Sequence, residues 1–110
     1  MTYHALMYTI AETPIFKHYV ADYWSEAERA DFCAWLANNP TAGDVIPGSG
    51  GCRKVRWAGD GRGKRGGVRV IYYNQLADGT IWLLTIYGKG TQENIPAATL
   101  KLIKETIDAK

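Results

Sequence analysis

The sequence predicts an α+β domain in which a small antiparallel β-sheet packs with an N-terminal helix pair and a C-terminal helix. Three observations carry that reading. Ser25-Glu26-Ala27-Glu28 is a capping box, in which a serine hydroxyl and a glutamate three residues on satisfy each other's backbone amides at a helix start. Residues 68–73 (VRVIYY) and 80–87 (TIWLLTIY) are β-branched and aromatic, and Asp78-Gly79 between them is a hairpin signal. Leu100, Ile103 and Ile107 then recur at helical spacing after Pro96. At 110 residues and 46% hydrophobic, with four Trp and seven Tyr, the chain is long and apolar enough for one core, so residues 1–110 are read as a single domain.

In chain order, residues 6–10 (LMYTI) are short, apolar and β-prone, which suits an edge or early strand. Pro14 permits a helix to start at its first turn, and Phe16, Tyr19 and Val20 continue it at helical spacing towards Tyr23. In the second helix Glu26, Glu28 and Asp31 crowd the end where the macrodipole favours negative charge. Phe32, Trp35 and Leu36 form its apolar stripe, and Asn38-Asn39-Pro40 ends it. Residues 41–51 (TAGDVIPGSGG) form a turn-rich connector. Residues 53–57 alternate charge around Val55, as a strand does, and Gly61, Gly63, Gly66 and Gly67 then mark a loop before the next strand. The run 80–87 lacks clean alternation, which predicts a central strand covered on both faces. Lys101 and Lys104 lie off the apolar face of the last helix and are expected in solvent.

Charge is divided unevenly along this frame. Residues 1–50 carry Lys17 and Arg29 against six carboxylates, a balance of −4, whereas residues 51–89 carry eight bases against Asp60 and Asp78, a balance of +6. Arg53, Lys54, Arg56, Arg62, Lys64, Arg65 and Arg69 fall within seventeen positions interrupted by one acid, Asp60. Such a cluster on a sheet and its rim attracts a polyanion before contact. The plain alternative is a solvated basic face. The run from Gly59 to Lys64 is one residue short of a phosphate-binding Walker loop, and Arg65 stands where Ser or Thr should hold magnesium.

Other chemistries find little support. No paired carboxylates or His-Cys cluster accompany the basic region, and His4 and His18 lie outside it, so no metal site and no cofactor is predicted. Ser25 is committed to a cap and Ser49 lies in a loop with no histidine near it in sequence, so a serine-hydrolase constellation finds no support. Cys33 and Cys52 read as two separate thiols of a reducing compartment, the alternative being a disulfide between them. The first ten residues lack the pattern of a secretory signal and no run is long enough to cross a bilayer, so a cytoplasmic protein without membrane partners is expected.

The segments GDVIPGSGGCRKVRWA (43–58), GRGKRGGVRVIYY (61–73) and IWLLTIYGKGTQENI (81–95) resemble the RelE/HigB-type toxins of bacterial type II toxin–antitoxin systems, and in particular the HigB-like branch. The resemblance spans roughly residues 7–107. It implies a RelE-like fold, an mRNA endonuclease activity exerted on translating ribosomes, and neutralisation by a cognate antitoxin. Lys54 and Arg56 match the two basic positions on the strand before the loop, Arg69 the central arginine of the next strand, and Lys89 the lysine after the last strand. Gly90 stands where such enzymes tend to carry an arginine, and Pro96 near the place of a catalytic tyrosine. Gly90-Thr91 also replaces the Asn-Glu usual in the HigB-like branch.

Metal-free RNA cleavage needs the 2′-hydroxyl aimed at phosphorus, added negative charge stabilised and two protons moved. Arg69 is the first candidate for the charge and Arg56 the second, since a guanidinium fork holds two phosphate oxygens. Lys54 is a candidate base, because Arg53, Arg56 and Arg69 nearby favour a neutral amine, and Lys89 a candidate acid or phosphate clamp. Arg53, Arg62, Lys64 and Arg65 are expected to bind RNA. Tyr73 shares the alternation of Arg69 and is expected either to stack on a base or to pack in the core. Two rival readings remain: a non-enzymatic RNA- or ribosome-binding module, and a factor whose basic face recognises an acidic protein.

Overall fold

The computed structural model describes residues 8–58, 67–88, 90 and 95–109. Along them run β1 (Thr9–Glu12), α1 (Pro14–Val20), α2 (Glu26–Asn38), β2 (Asp44–Val45), β3 (Arg53–Trp57), β4 (Val68–Gln75), β5 (Thr80–Gly88) and α3 (Ala97–Asp108). The sheet order is β1-β5-β4-β3-β2. Strands β2 to β5 are antiparallel neighbours, while β1 joins β5 in parallel at the edge. Of the expected first strand at 6–10, Leu6 and Met7 lie outside the described residues, and β1 runs from Thr9 to Glu12. A short β2 also emerges from the connector, paired to β3.

Local chemistry sets the helix starts. The Ser25 hydroxyl accepts the Glu28 N–H at 3.2 Å and the Glu28 carboxylate accepts the Ser25 N–H at 2.9 Å, completing the capping box. Thr13 caps α1 by accepting the Phe16 N–H at 3.1 Å, with Pro14 in the first turn. That hydroxyl also donates to the Leu84 carbonyl of β5 at 2.8 Å, which ties α1 to that strand.

The sheet separates two cores. On one face α1 and α2 bring Phe16, Val20, Trp24, Phe32 and Leu36 onto Val55, Val68, Val70, Tyr72, Ile81, Leu83 and Ile86. Trp35 and Trp57 stack at the rim of this core with ring centroids 4.9 Å apart. On the other face α3 lays Leu100 and Ile107 over Cys52, Ile71, Leu84 and Tyr87. Cys33 packs against the first core and Cys52 lies in the second, both free. Burial pushes both thiols up.

Strand β5 serves both cores through a bulge. Ile71 pairs with Thr85 and Tyr72 with Leu83, so Leu84 is an extra residue in β5. Ile81 and Leu83 enter the first core, Trp82 and Leu84 the second; beyond the bulge Ile86 joins the first and Tyr87 the second. Strict alternation would have placed these last two the other way round. The Leu84 carbonyl, displaced from the β4 ladder, is the one that Thr13 satisfies.

A polar latch holds the end of α3. The Tyr73 hydroxyl donates to the Asp108 carboxylate at 2.9 Å, Lys104 pairs with Asp108 at 3.1 Å, and Gln75 donates to the same carboxylate at 3.3 Å. The Lys104 ammonium also lies 5.6 Å from the Tyr73 ring centroid. Lys104 is thus engaged with Asp108 and Tyr73, contrary to the expectation of a freely solvated side chain. Among the described residues no helix is long and apolar enough to cross a membrane.

Candidate functional site

Alternation along β3 sorts its cations. Val55 and Trp57 face the first core, which turns Lys54 and Arg56 to the α3 side of the sheet. Val68 and Val70 likewise face the first core and turn Arg69 to the same side as Lys54 and Arg56. Register then completes the constellation. Arg56 lies directly opposite Arg69 across β3 and β4, Lys54 opposite Asp44 across β2 and β3, and Arg69 opposite Tyr87 across β4 and β5. Because α3 covers only part of this face, an open cleft of about 300 Å³ remains, lined by Asp44, Lys54, Arg56, Arg69 and Tyr87.

Two guanidinium groups set opposite each other repel, and like charges in that position destabilise a strand pair. An anion bound between them removes the penalty. A phosphate held by two forks, with an ammonium two residues along the strand, is the ligand such geometry suits.

Three of the expected residues, Lys54, Arg56 and Arg69, are brought together in this cleft. Arg53 is not. It shares the parity of Val55 and Trp57, and its guanidinium donates from the opposite side of the sheet to the carbonyls of Gly43 at 2.6 Å and Thr41 at 3.3 Å. Arg53, expected to bind RNA, therefore lies across the sheet from the cleft. Tyr73 does lie on Arg69's side, but α3 covers that end, and its hydroxyl is taken up by Asp108. Burial chiefly, with that hydrogen bond, pushes its phenol up. Tyr73, expected either to stack on a base or to pack in the core, lies partly buried against the second core. Lys89, Arg62, Lys64 and Arg65 lie outside the described residues, although the 59–66 segment joins Ala58 and Gly67 at the end of the hairpin where Arg56 and Arg69 meet.

Two lining residues went unnoticed in the sequence. Tyr87 reaches the cleft only because of the bulge, and Asp44 sat in what read as a turn-rich connector. The backbone leading to Asp44 is held from behind. The Gly43 N–H donates to the Tyr72 hydroxyl at 2.9 Å, and that hydroxyl donates to the Pro40 carbonyl at 2.9 Å. Burial pushes the Tyr72 phenol up, with the Gly43 bond opposing. A Cβ at Gly43 would lie 2.8 Å from the Lys54 carbonyl oxygen and 3.0 Å from the Tyr72 ring, so only glycine permits this approach. Among the described residues no three His, Cys, Asp or Glu side chains converge as a metal site.

No protein-family model matches the sequence. The fold is nevertheless that of a solved structure of the E. coli toxin RelE, a double arginine-to-alanine mutant in the free state. The superposition has a TM-score of 0.58 at 12% identity and covers 89% of this chain and 97% of that one. The chain thus has a small RelE-like α+β fold.

Proposed function

We propose that this chain is the toxin of a type II toxin–antitoxin pair of the HigB-like branch, acting as a metal-independent endoribonuclease on mRNA at the translating ribosome. The observation that carries the reading is the opposed Arg56–Arg69 pair, set with Lys54 in an open cleft on a RelE-like sheet. In this mechanism the RNA phosphate enters between the two guanidinium groups, which take up the charge added when the 2′-oxygen attacks phosphorus. The products are a 2′,3′-cyclic phosphate and a 5′-hydroxyl end, and translation stops because the message is cut. The site of action is the cytoplasm, the partners are ribosome and mRNA, and a cognate antitoxin restrains the activity. Arg62, Lys64, Arg65 and Lys89 are proposed to add further phosphate contacts.

Arg69→Ala tests the reading. It should keep or slightly raise the melting temperature and keep most ribosome association, yet lose at least about 100-fold in cleavage of translated mRNA, the usual scale for one oxyanion donor. Folded Arg69→Ala that cuts at the parental rate would show that Arg69 is not the clamp. If the parental chain binds ribosomes but generates no cyclic-phosphate ends, the protein is a non-enzymatic binding module instead.

A further inference from the structure

A cleft built for a polyanion has no electrostatic use for a carboxylate, yet Asp44 lines this one. It is also the one group there suited to take a proton. Ammonium and guanidinium groups carry donors and no acceptor lone pair, and a phenol must first lose its own proton, whereas an ionised carboxylate offers only acceptors. Among the described residues no hydrogen bond or ion pair occupies the Asp44 carboxylate. We infer that Asp44 is the general base that takes the proton of the attacking 2′-hydroxyl, and that Lys54 across the strand pair supplies the proton to the leaving oxygen.

The placement supports this division. Directly opposite partners such as Asp44 and Lys54 have Cβ atoms about 4.5–5.5 Å apart, and a diagonal neighbour such as Arg56 is about 7–8 Å away. A ribose and its 3′-phosphate fill that span with the sugar towards Asp44 and the phosphate towards the arginine pair. Asp44 is, moreover, preorganised from the far side of the sheet. Tyr72 fixes the Gly43 N–H, and Arg53 fixes the Gly43 and Thr41 carbonyls. Two large side chains thus hold the backbone immediately before one aspartate, the kind of support a proton acceptor needs for alignment.

In the step itself, the Asp44 carboxylate takes the 2′-hydroxyl proton as the 2′-oxygen bonds to phosphorus. The bond from phosphorus to the 5′-oxygen breaks, and that oxygen receives a proton from the Lys54 ammonium. Solvent then returns a proton to the amine and removes one from the carboxyl, so no further reactant is needed. This assignment rests on the endonuclease reading and replaces Lys54 as base.

The test uses the full chain with translating ribosomes in single-turnover cleavage, beside RNA-binding measurements. Asp44→Asn should lose about 100-fold or more in cleavage, the range for a general base. Its affinity for RNA should hold or tighten, because one repelling charge is gone. Asp44→Glu should recover part of the rate. A message carrying a 5′-bridging sulfur at the cleavage site, whose thiolate leaves without a proton, should restore cleavage by Lys54→Ala and not by Asp44→Asn. The inference is overturned, with the nuclease reading intact, if the parental chain cuts and Asp44→Asn cuts equally well. It is likewise overturned if Asp44→Asn loses melting temperature and affinity together with activity, or is rescued by the sulfur substrate. A parental chain that cuts nothing overturns the nuclease reading itself, and the general-base role with it.

Discussion

Arg56→Gln should make the protein more stable while weakening its function. Arg56 lies directly opposite Arg69, and glutamine keeps most of the aliphatic stem while removing the charge. Two unit charges about 5 Å apart in water repel by about 0.8 kcal/mol, and by about 0.4 kcal/mol if the side chains splay to about 10 Å. Because Arg56 is exposed, the water value is the relevant one. For a domain of this size the relief converts to a rise of roughly 1–5 °C in melting temperature. Thermal unfolding at low salt reads the gain, and repetition near 1 M salt should erase most of it as the screening length contracts to about 3 Å. The same variant should bind RNA more weakly and with a shallower salt dependence, because one phosphate contact is lost. A lower melting temperature at low salt, or a gain that persists undiminished in high salt, would refute the claim that this pair is held in electrostatic opposition.

Gly43→Ala should destabilise the chain by about 1–3 kcal/mol, since the new methyl meets a backbone oxygen and the Tyr72 ring with no room to move, a magnitude typical of overpacking; chemical denaturation measures it, and parental stability would refute the close approach. Asp108 titrates below the ordinary carboxylate range, chiefly because Lys104 hydrogen-bonds it. A depressed carboxylate contributes stability that is present above the unfolded-state value of about 3.9 and is lost as pH falls through the lower folded value. Asp108→Asn should therefore flatten the acid limb of a melting-temperature profile below about pH 4, and an unchanged limb would show that the latch to Tyr73 and Gln75 bears no load.

Much of the fold was legible because local and tertiary preferences agree. The Ser25 capping box, the apolar face of Leu100, Ile103 and Ile107, and the largely apolar, non-alternating run 80–87 each state one structural role, and each role is the one adopted. Parity in β3 was also legible: Arg53 shares the alternation of Val55 and Trp57, which already separates it from Lys54 and Arg56. Tyr87 was not legible, since a bulge between Leu83 and Thr85 resets the alternation and no single residue announces it. Nor was Asp44. Its two-residue strand is defined by pairing to β3 and by the Tyr72 and Arg53 supports, partners remote in sequence and invisible to any local pattern.

The extra residue at Leu84 has a consequence for how this chain tolerates change. Substitutions in β5 act locally, one side chain in one core. Deleting Leu84 would let the ladder close with Leu83, Thr85, Ile86 and Tyr87 still opposite Tyr72, Ile71, Val70 and Arg69, whereas straightening the strand with every residue kept would send the Tyr87 phenol into the packed layer beneath α1 and α2 and Ile86 to the wall beside Arg69. In this chain the bulge, rather than the identity of any one residue in β5, decides which side chain stands next to Arg69.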